Sequence, residues 1–298
     1  MRKQTYNYLN NLFQENNNIC LLLGDIGVFS FQKSFQHDSS RIYNFGIMEQ
    51  TMIGASCGLS KSGFIPFVHS IAPFITERCY EQLKLNLGYE NVNCFIISVG
   101  NSYDYSALGC THHCSNDLRI VSSIPNFKTF CPGNSEDVKK IINLTINDKC
   151  PKYIRLSETE NNINSIKEKY EDLDILHLNK NGVCIVVGNS IKDLASFINL
   201  KPNYTILYTY NISEFNVNKL NNIIEQNQIN KKITIIEPCS DSGIVSKIAT
   251  SIKNIESLTS ISIPKMFIEK YGNRKDIDKM LELDDESIIK NLSKTYDS

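Results

Sequence analysis

The chain lacks most of the features that assign a protein to a class at sight. Lys and Arg number 31 against 32 Asp and Glu in 298 residues, so no surplus of either sign favours nucleic acid or a membrane surface. No apolar run approaches membrane-spanning length. The opening Met1-Arg2-Lys3-Gln4-Thr5-Tyr6 leads into polar sequence without the apolar core of a signal peptide. There is no G-x-G-x-x-G, no P-loop and no internal repeat. Cysteine is plentiful, with ten residues, but they are scattered and often sit inside apolar runs such as Ile19-Cys20-Leu21 and Val183-Cys184-Ile185. That pattern suits reduced, buried thiols and a cytoplasmic protein rather than a disulfide framework.

What is present is alternation. The length suffices for two domains with their own cores, and strand and helix signals follow one another as in parallel α/β folds. A helix is expected from about Thr5 to Glu15, then strands at Ile19 to Leu23, Ile42 to Phe45, Phe64 to Val68 and Asn93 to Val99. Helices are expected from near Glu49 and, as one amphipathic element, from about Pro73 to Leu87. Leu118 to Ser123, Phe127 to Cys131, Ser135 to Ile146 and Tyr153 to Leu156 continue the series. The composition then turns polar (Asn161, Asn162, Asn164, Lys167, Glu168, Lys169). This gives domains over 1–160 and 175–298 with a linker over 161–174. The second unit should hold strands at Val183 to Val187, Thr205 to Tyr208 and Ile233 to Ile236, and helices starting near Ile191, Val217 and Ser242.

Three stretches are candidates for chemistry. Tyr43-Asn44-Phe45-Gly46-Ile47-Met48-Glu49-Gln50 puts Glu49 in the first turn of a helix, where the dipole favours a carboxylate. By itself this is more often an ordinary helix-start charge. Gly109-Cys110-Thr111-His112-His113-Cys114 lies beyond a central strand, where open α/β sheets bind ligands. Two cysteines and two histidines there raise a metal, but zinc sites usually need a separate second ligand pair, and a hydrogen-bonding loop or a plain loop are the other readings. Phe74, with Arg78 one turn on, is either core or a stacking face for a flat heterocycle. Gly24-Asp25-Ile26-Gly27 resembles a phosphate or metal turn, a weak signal alone.

In this order the pieces resemble one family. Gly46-Ile47-Met48-Glu49-Gln50, Gly58-Leu59, Gly63, Pro66, Phe74 and Arg78-Cys79-Tyr80-Glu81-Gln82 are similar to the pyrimidine-binding domain of transketolase-type thiamine diphosphate enzymes. So are Gly109-Cys110-Thr111-His112-His113, Asp117-Leu118, Ile124-Pro125-Asn126 and Pro132. Tyr153-Ile154-Arg155-Leu156-Ser157 looks like that domain's closing strand, and Glu237-Pro238…Gly243 like a turn of the family's C-terminal domain. The resemblance implies an α/β fold of two parallel-sheet domains, the pyrimidine domain followed by a transketolase C-terminal-like domain. It assigns Glu49, Ile47, Phe74 and Arg78 to thiamine diphosphate, Glu49 and His112 to catalysis, and His112, His113 and Ser30 to substrate. A carboxyl group at N1′ of the aminopyrimidine favours the imino tautomer, whose 4′-nitrogen takes the proton from C2 of the thiazolium.

The family's diphosphate domain, with its Gly-Asp-Gly…Asn motif, has no counterpart here. A partner chain of the N-terminal-section type is therefore expected to supply it, holding Mg2+ or Ca2+ and the diphosphate, with no metal site on this chain. By analogy, two copies of each chain make a heterotetramer. Three positions depart from the family: Leu108 replaces an Asp before the Gly-x-Thr-His loop, Gly100 replaces a histidine, and Glu158 replaces a phosphate-binding arginine. A carboxylate repels a phosphate dianion, so the implied activity is ketol transfer to or from an atypical sugar. The alternatives are a 2-oxo acid dehydrogenase E1 β-type chain, a pyruvate-using acyl transfer like that of 1-deoxy-xylulose-phosphate synthase, or a catalytically silent subunit. The intact Glu49 speaks against the last.

Overall fold

The computed structural model describes residues 1–167 and 171–296; Glu168 and Lys169 of the polar stretch lie outside them. The first sheet has six strands, all paired in parallel: β1 (Ile19–Leu23), β2 (Ile42–Asn44), β3 (Ile65–Ile71), β4 (Cys94–Val99), β5 (Lys128–Phe130) and β6 (Pro151–Arg155). Their order is β2-β1-β3-β4-β6-β5. β1, β4 and β6 are buried along their whole length, because helices cover both faces and leave no polar side to alternate.

The second sheet runs β11-β10-β8-β9-β7, comprising β7 (Asp174–His177), β8 (Val183–Val187), β9 (Thr205–Thr209), β10 (Lys232–Ile236) and β11 (Ser257–Ile261). Its inner strands are parallel, as the apolar runs imply, but β7 pairs antiparallel with β9. Both edge strands, β7 and β11, escape a search for apolar runs because each mixes polar and apolar residues at a half-covered edge. The three helices expected in this unit begin at Leu194, Val217 and Ile244, and two more, Arg274–Met280 and Asp285–Tyr296, follow them.

One expected element breaks. Instead of a single helix from Pro73 to Leu87 there is a turn of helix at Ala72–Ile75, then Tyr80–Gln82 running into a π-helical stretch, Leu83–Tyr89. Around the break, carbonyls take partners beyond their i+4 amides, although Thr76 N still donates to Ala72 O at 3.0 Å. Thr76 Oγ1 donates to Ala72 O at 2.7 Å, Arg78 N to Pro73 O at 3.1 Å and Cys79 Sγ to Phe74 O at 3.1 Å. Such π-type irregularities often mark functional positions, and here the break turns Arg78 back over Phe74.

The two sheets share their apolar clusters, each of which draws residues from both halves of the chain. The polar stretch is braced at its start, at Asn161. Asn161 is buried; its N–H donates to Gly133 O at 2.8 Å, its amide to Gly188 O at 2.9 Å, and its Oδ1 accepts from Asn134 at 3.0 Å. Gly188, at φ 55°, leaves no room for a side chain, because a Cβ there would overlap the Cys131 carbonyl.

Candidate active site

Four of the candidate residues, Glu49, Phe74, Arg78 and His112, gather beyond the carboxyl ends of β3 and β4. Glu49 is the first residue of the helix Glu49–Lys61 and is 2% exposed. Its Oε1 accepts from Ser70 Oγ at 3.1 Å and its Oε2 from Arg78 Nη1 at 2.8 Å. Gly24 lets Ser70 in, since a Cβ there would lie 2.9 Å from Ser70 Oγ. A carboxylate offers about four lone-pair positions, so these two bonds orient Glu49 and leave it able to accept another. The Arg78 guanidinium also lies 4.3 Å from the centroid of the Phe74 ring, a cation–π contact that ties Phe74 to the Glu49–Arg78 pair.

His112 meets Phe74 edge to face at 5.2 Å and Tyr105 at 6.4 Å between ring centroids. The Thr111 hydroxyl lies 3.0 Å from His112 Nδ1. Glu49, Arg78, Phe74 and His112, read from separate parts of the sequence, thus form one connected group. His113 faces away, into a groove with Cys110, Ser240 and Met266. Burial, then the neighbouring His112, lowers its tendency to protonate, and its Nε2 is buried without a partner. Ser30 lines a different groove, with Arg2, Lys3, Tyr6 and Asn7. Ile47 stands beside Glu49 and is 71% exposed.

The three departures from the family pattern have visible consequences. Gly100, at φ 71°, makes room for Tyr105, whose ring would overlap a Cβ there. Leu108 is an exposed apolar side chain. Glu158 stands 3.6 Å from Arg2 Nη1, and Arg2 in turn lies 6.0 Å from the Tyr105 ring centroid. Ser70, Arg2 and Tyr105 were not legible as site residues, because each joins the group only through chain crossings. Among the described residues no group of three or more His, Cys, Asp or Glu side chains is placed to hold a metal. The Cys-His loop is split: Cys110 is exposed, while Cys114 is buried with its thiol pushed up by burial. Gly24-Asp25-Ile26-Gly27 is occupied in joining strand ends, with Asp25 N donating to Asn44 Oδ1 at 3.0 Å. All ten cysteines are free, and no helix among the described residues is long and apolar enough to cross a membrane.

The family model for the transketolase pyrimidine-binding domain matches residues 1–163, and the chain belongs to that family. A 33.6 kDa protein of the fasciation locus of Rhodococcoides fascians, itself uncharacterised, is 27% identical over 276 residues, covering 92% of this chain and 87% of that protein. One of the subunits of the apulose-4-phosphate transketolase of Actinobacillus succinogenes is 32% identical over 120 residues, which is 40% of this chain and 39% of that one. A split-gene transketolase, solved as an inactive β4 tetramer, superposes with a TM-score of 0.81 at 19% identity, covering 99% of this chain and 97% of that one. The last likeness speaks for the fold: the pyrimidine-binding and C-terminal domains of transketolases in one chain.

Proposed function

We propose that this chain is the pyrimidine-binding subunit of a two-component, thiamine diphosphate-dependent enzyme that transfers a ketol unit to or from an atypical sugar. The observation that carries this reading is the buried Glu49 carboxylate, fixed by Ser70 and Arg78 next to Phe74 and His112. These residues fit the aminopyrimidine half of the cofactor. Glu49 has acceptor capacity left for a ring N–H, and Phe74 offers a face for stacking. They do not fit the other half, which a partner subunit holding Mg2+ or Ca2+ and the diphosphate would supply. Two copies of each chain would make a heterotetramer, and the exposed Ile47, Met48, Leu85 and Tyr89 give this chain apolar surface to cover.

When bound, the cofactor supplies the nucleophilic carbon and the electron sink for C–C cleavage. The chain's own part is to hold a proton balance at Glu49, orient the ring against Phe74, and present His112 as a hydrogen-bond donor or proton carrier to substrate oxygens. The substrate end facing Glu158 would lack a phosphate, because a carboxylate there disfavours a dianion and offsets Arg2. A second reading, pyruvate-using condensation, is favoured by 1-deoxy-D-xylulose-5-phosphate synthase of Thermotoga maritima, 22% identical over 276 residues and 89% of this chain but 44% of that enzyme.

The test is reconstitution with a subunit carrying the Gly-Asp-Gly…Asn motif, followed by assay with phosphorylated ketoses, unphosphorylated ketoses and pyruvate. Thiamine-dependent turnover preferring an unphosphorylated ketose is expected. Preference for pyruvate would establish the second reading, and absence of turnover with every donor would count against both.

A further inference from the structure

The loop carrying His112 consists of two short 3-10 turns, Ser106–Leu108 and Cys110–His112, joined by a single residue. That residue, Gly109, has φ 72° and ψ −163°, a conformation essentially open to glycine alone. A joint without a side chain between two single turns has little of its own to hold an angle. What holds it comes from the other half of the chain. Tyr271, between β11 and the helix Arg274–Met280, sets the edge of its phenol (Cε1, Cζ, Oη) on Gly109 so closely that a Cβ there would overlap it. Tyr271 is otherwise 66% exposed, so burial in a core does not account for its position.

The segment bearing Tyr271 is itself tied to the first half. Arg274 pairs with Asp104 and donates to Ser157 Oγ at 3.3 Å, while Tyr103 Oη donates to Asp278 at 2.8 Å. At the far end of the loop Ser240 N donates to Ser115 O at 2.8 Å. The ends of the loop are therefore pinned to the C-terminal unit, and its central joint meets one side chain of that unit.

We propose that Tyr271 is a positioning residue that clamps the Gly109 joint and so fixes where the Cys110–His112 turn, and the His112 imidazole, stand relative to Phe74. Its catalytic consequence rests on the reading of His112 given above; the clamp is a property of this chain alone.

The experiment compares the full-length chain with Tyr271→Ala and Tyr271→Phe by amide hydrogen exchange and by NMR of the His112 ring. In Tyr271→Ala, exchange over residues 106–114 should quicken about fivefold or more while β4 and β6 keep their protection, since local opening is uncoupled from global unfolding. The His112 ring signal should broaden or move. Tyr271→Phe retains Cε1 and Cζ, the nearer two atoms of the clamping edge, and should match the parent in both. Should Tyr271→Ala loosen both sheets, Tyr271→Leu is the second variant: it keeps an apolar side chain but not the ring edge and should reproduce the local effect. Unchanged exchange and an unchanged His112 signal in Tyr271→Ala would overturn the clamp, as would a Tyr271→Phe variant as loose as the alanine one. These measurements need no partner and no cofactor, so their failure leaves the proposed activity standing. An inactive reconstituted complex would leave the clamp standing in the same way.

Discussion

Glu49 and His69 are both buried and lie on adjoining elements, but their surroundings prepare them differently. Glu49 is held by one hydroxyl and one guanidinium with capacity to spare. Substituting it by Ala should lower thiamine-dependent turnover of the reconstituted complex by about 10²–10⁴-fold, the usual range for a positioned proton-transfer group, with assembly unchanged by analytical ultracentrifugation. Full activity would put the silent-subunit reading ahead. His69 is saturated instead. The Ile97 carbonyl, 2.8 Å away, only accepts, so Nδ1 carries the proton and Nε2, at 3.0 Å, accepts from Tyr6 Oη. Burial holds its pKa down to about 4. A folded-state pKa below the unfolded value of about 6.5 means that this stabilisation is complete above pH 6.5 and is lost as pH falls towards 4, by about 3 kcal/mol. Urea midpoints across that window should drop in the parent and drop less in His69→Gln.

At the scale of elements, caps and breaks matter more than periodicity. Asn134 caps the helix Ser135–Thr145, its Oδ1 accepting from Glu136 N at 2.9 Å and Asp137 N at 3.0 Å. Its amide also reaches Asn161 at 3.0 Å. Asn134→Ala should therefore cost about 1–2 kcal/mol in denaturant unfolding, at or above an isolated cap. Asn134→Asp, which keeps the cap but not the amide donor, should fall between. That helix was legible because its apolar residues recur on one face, as were the wholly apolar β1 and β8. The break after Ile75 was not. Thr76 and Cys79 compete for backbone carbonyls only in the conformation that the packed neighbours allow, and apolar spacing alone continues the helix to Leu87.

For the whole molecule, the junction between halves is organised around a buried ion pair. Arg155 Nε donates to Asp117 Oδ2 at 2.8 Å, and its Nη2 reaches the Pro238 carbonyl of the second unit at 3.2 Å. Asp117→Ala would leave a buried guanidinium uncompensated and should cost about 3–5 kcal/mol, whereas Asp117→Leu combined with Arg155→Met should cost less than the single change. Equal losses in both would show that the pair contributes no more than packing. By itself the sequence determined the alternation of strands and helices and the family, and it singled out Glu49, Phe74, Arg78 and His112 as candidates, because these depend on local pattern and on residue type within a motif. Only the tertiary structure decided that Arg78 closes on both Glu49 and Phe74, that Tyr105 fills the space left at Gly100, that Arg2 faces Glu158, and that Tyr271 rests on Gly109. Each of these contacts joins residues from different chain segments, and their meeting is set by how the elements pack rather than by their order along the chain.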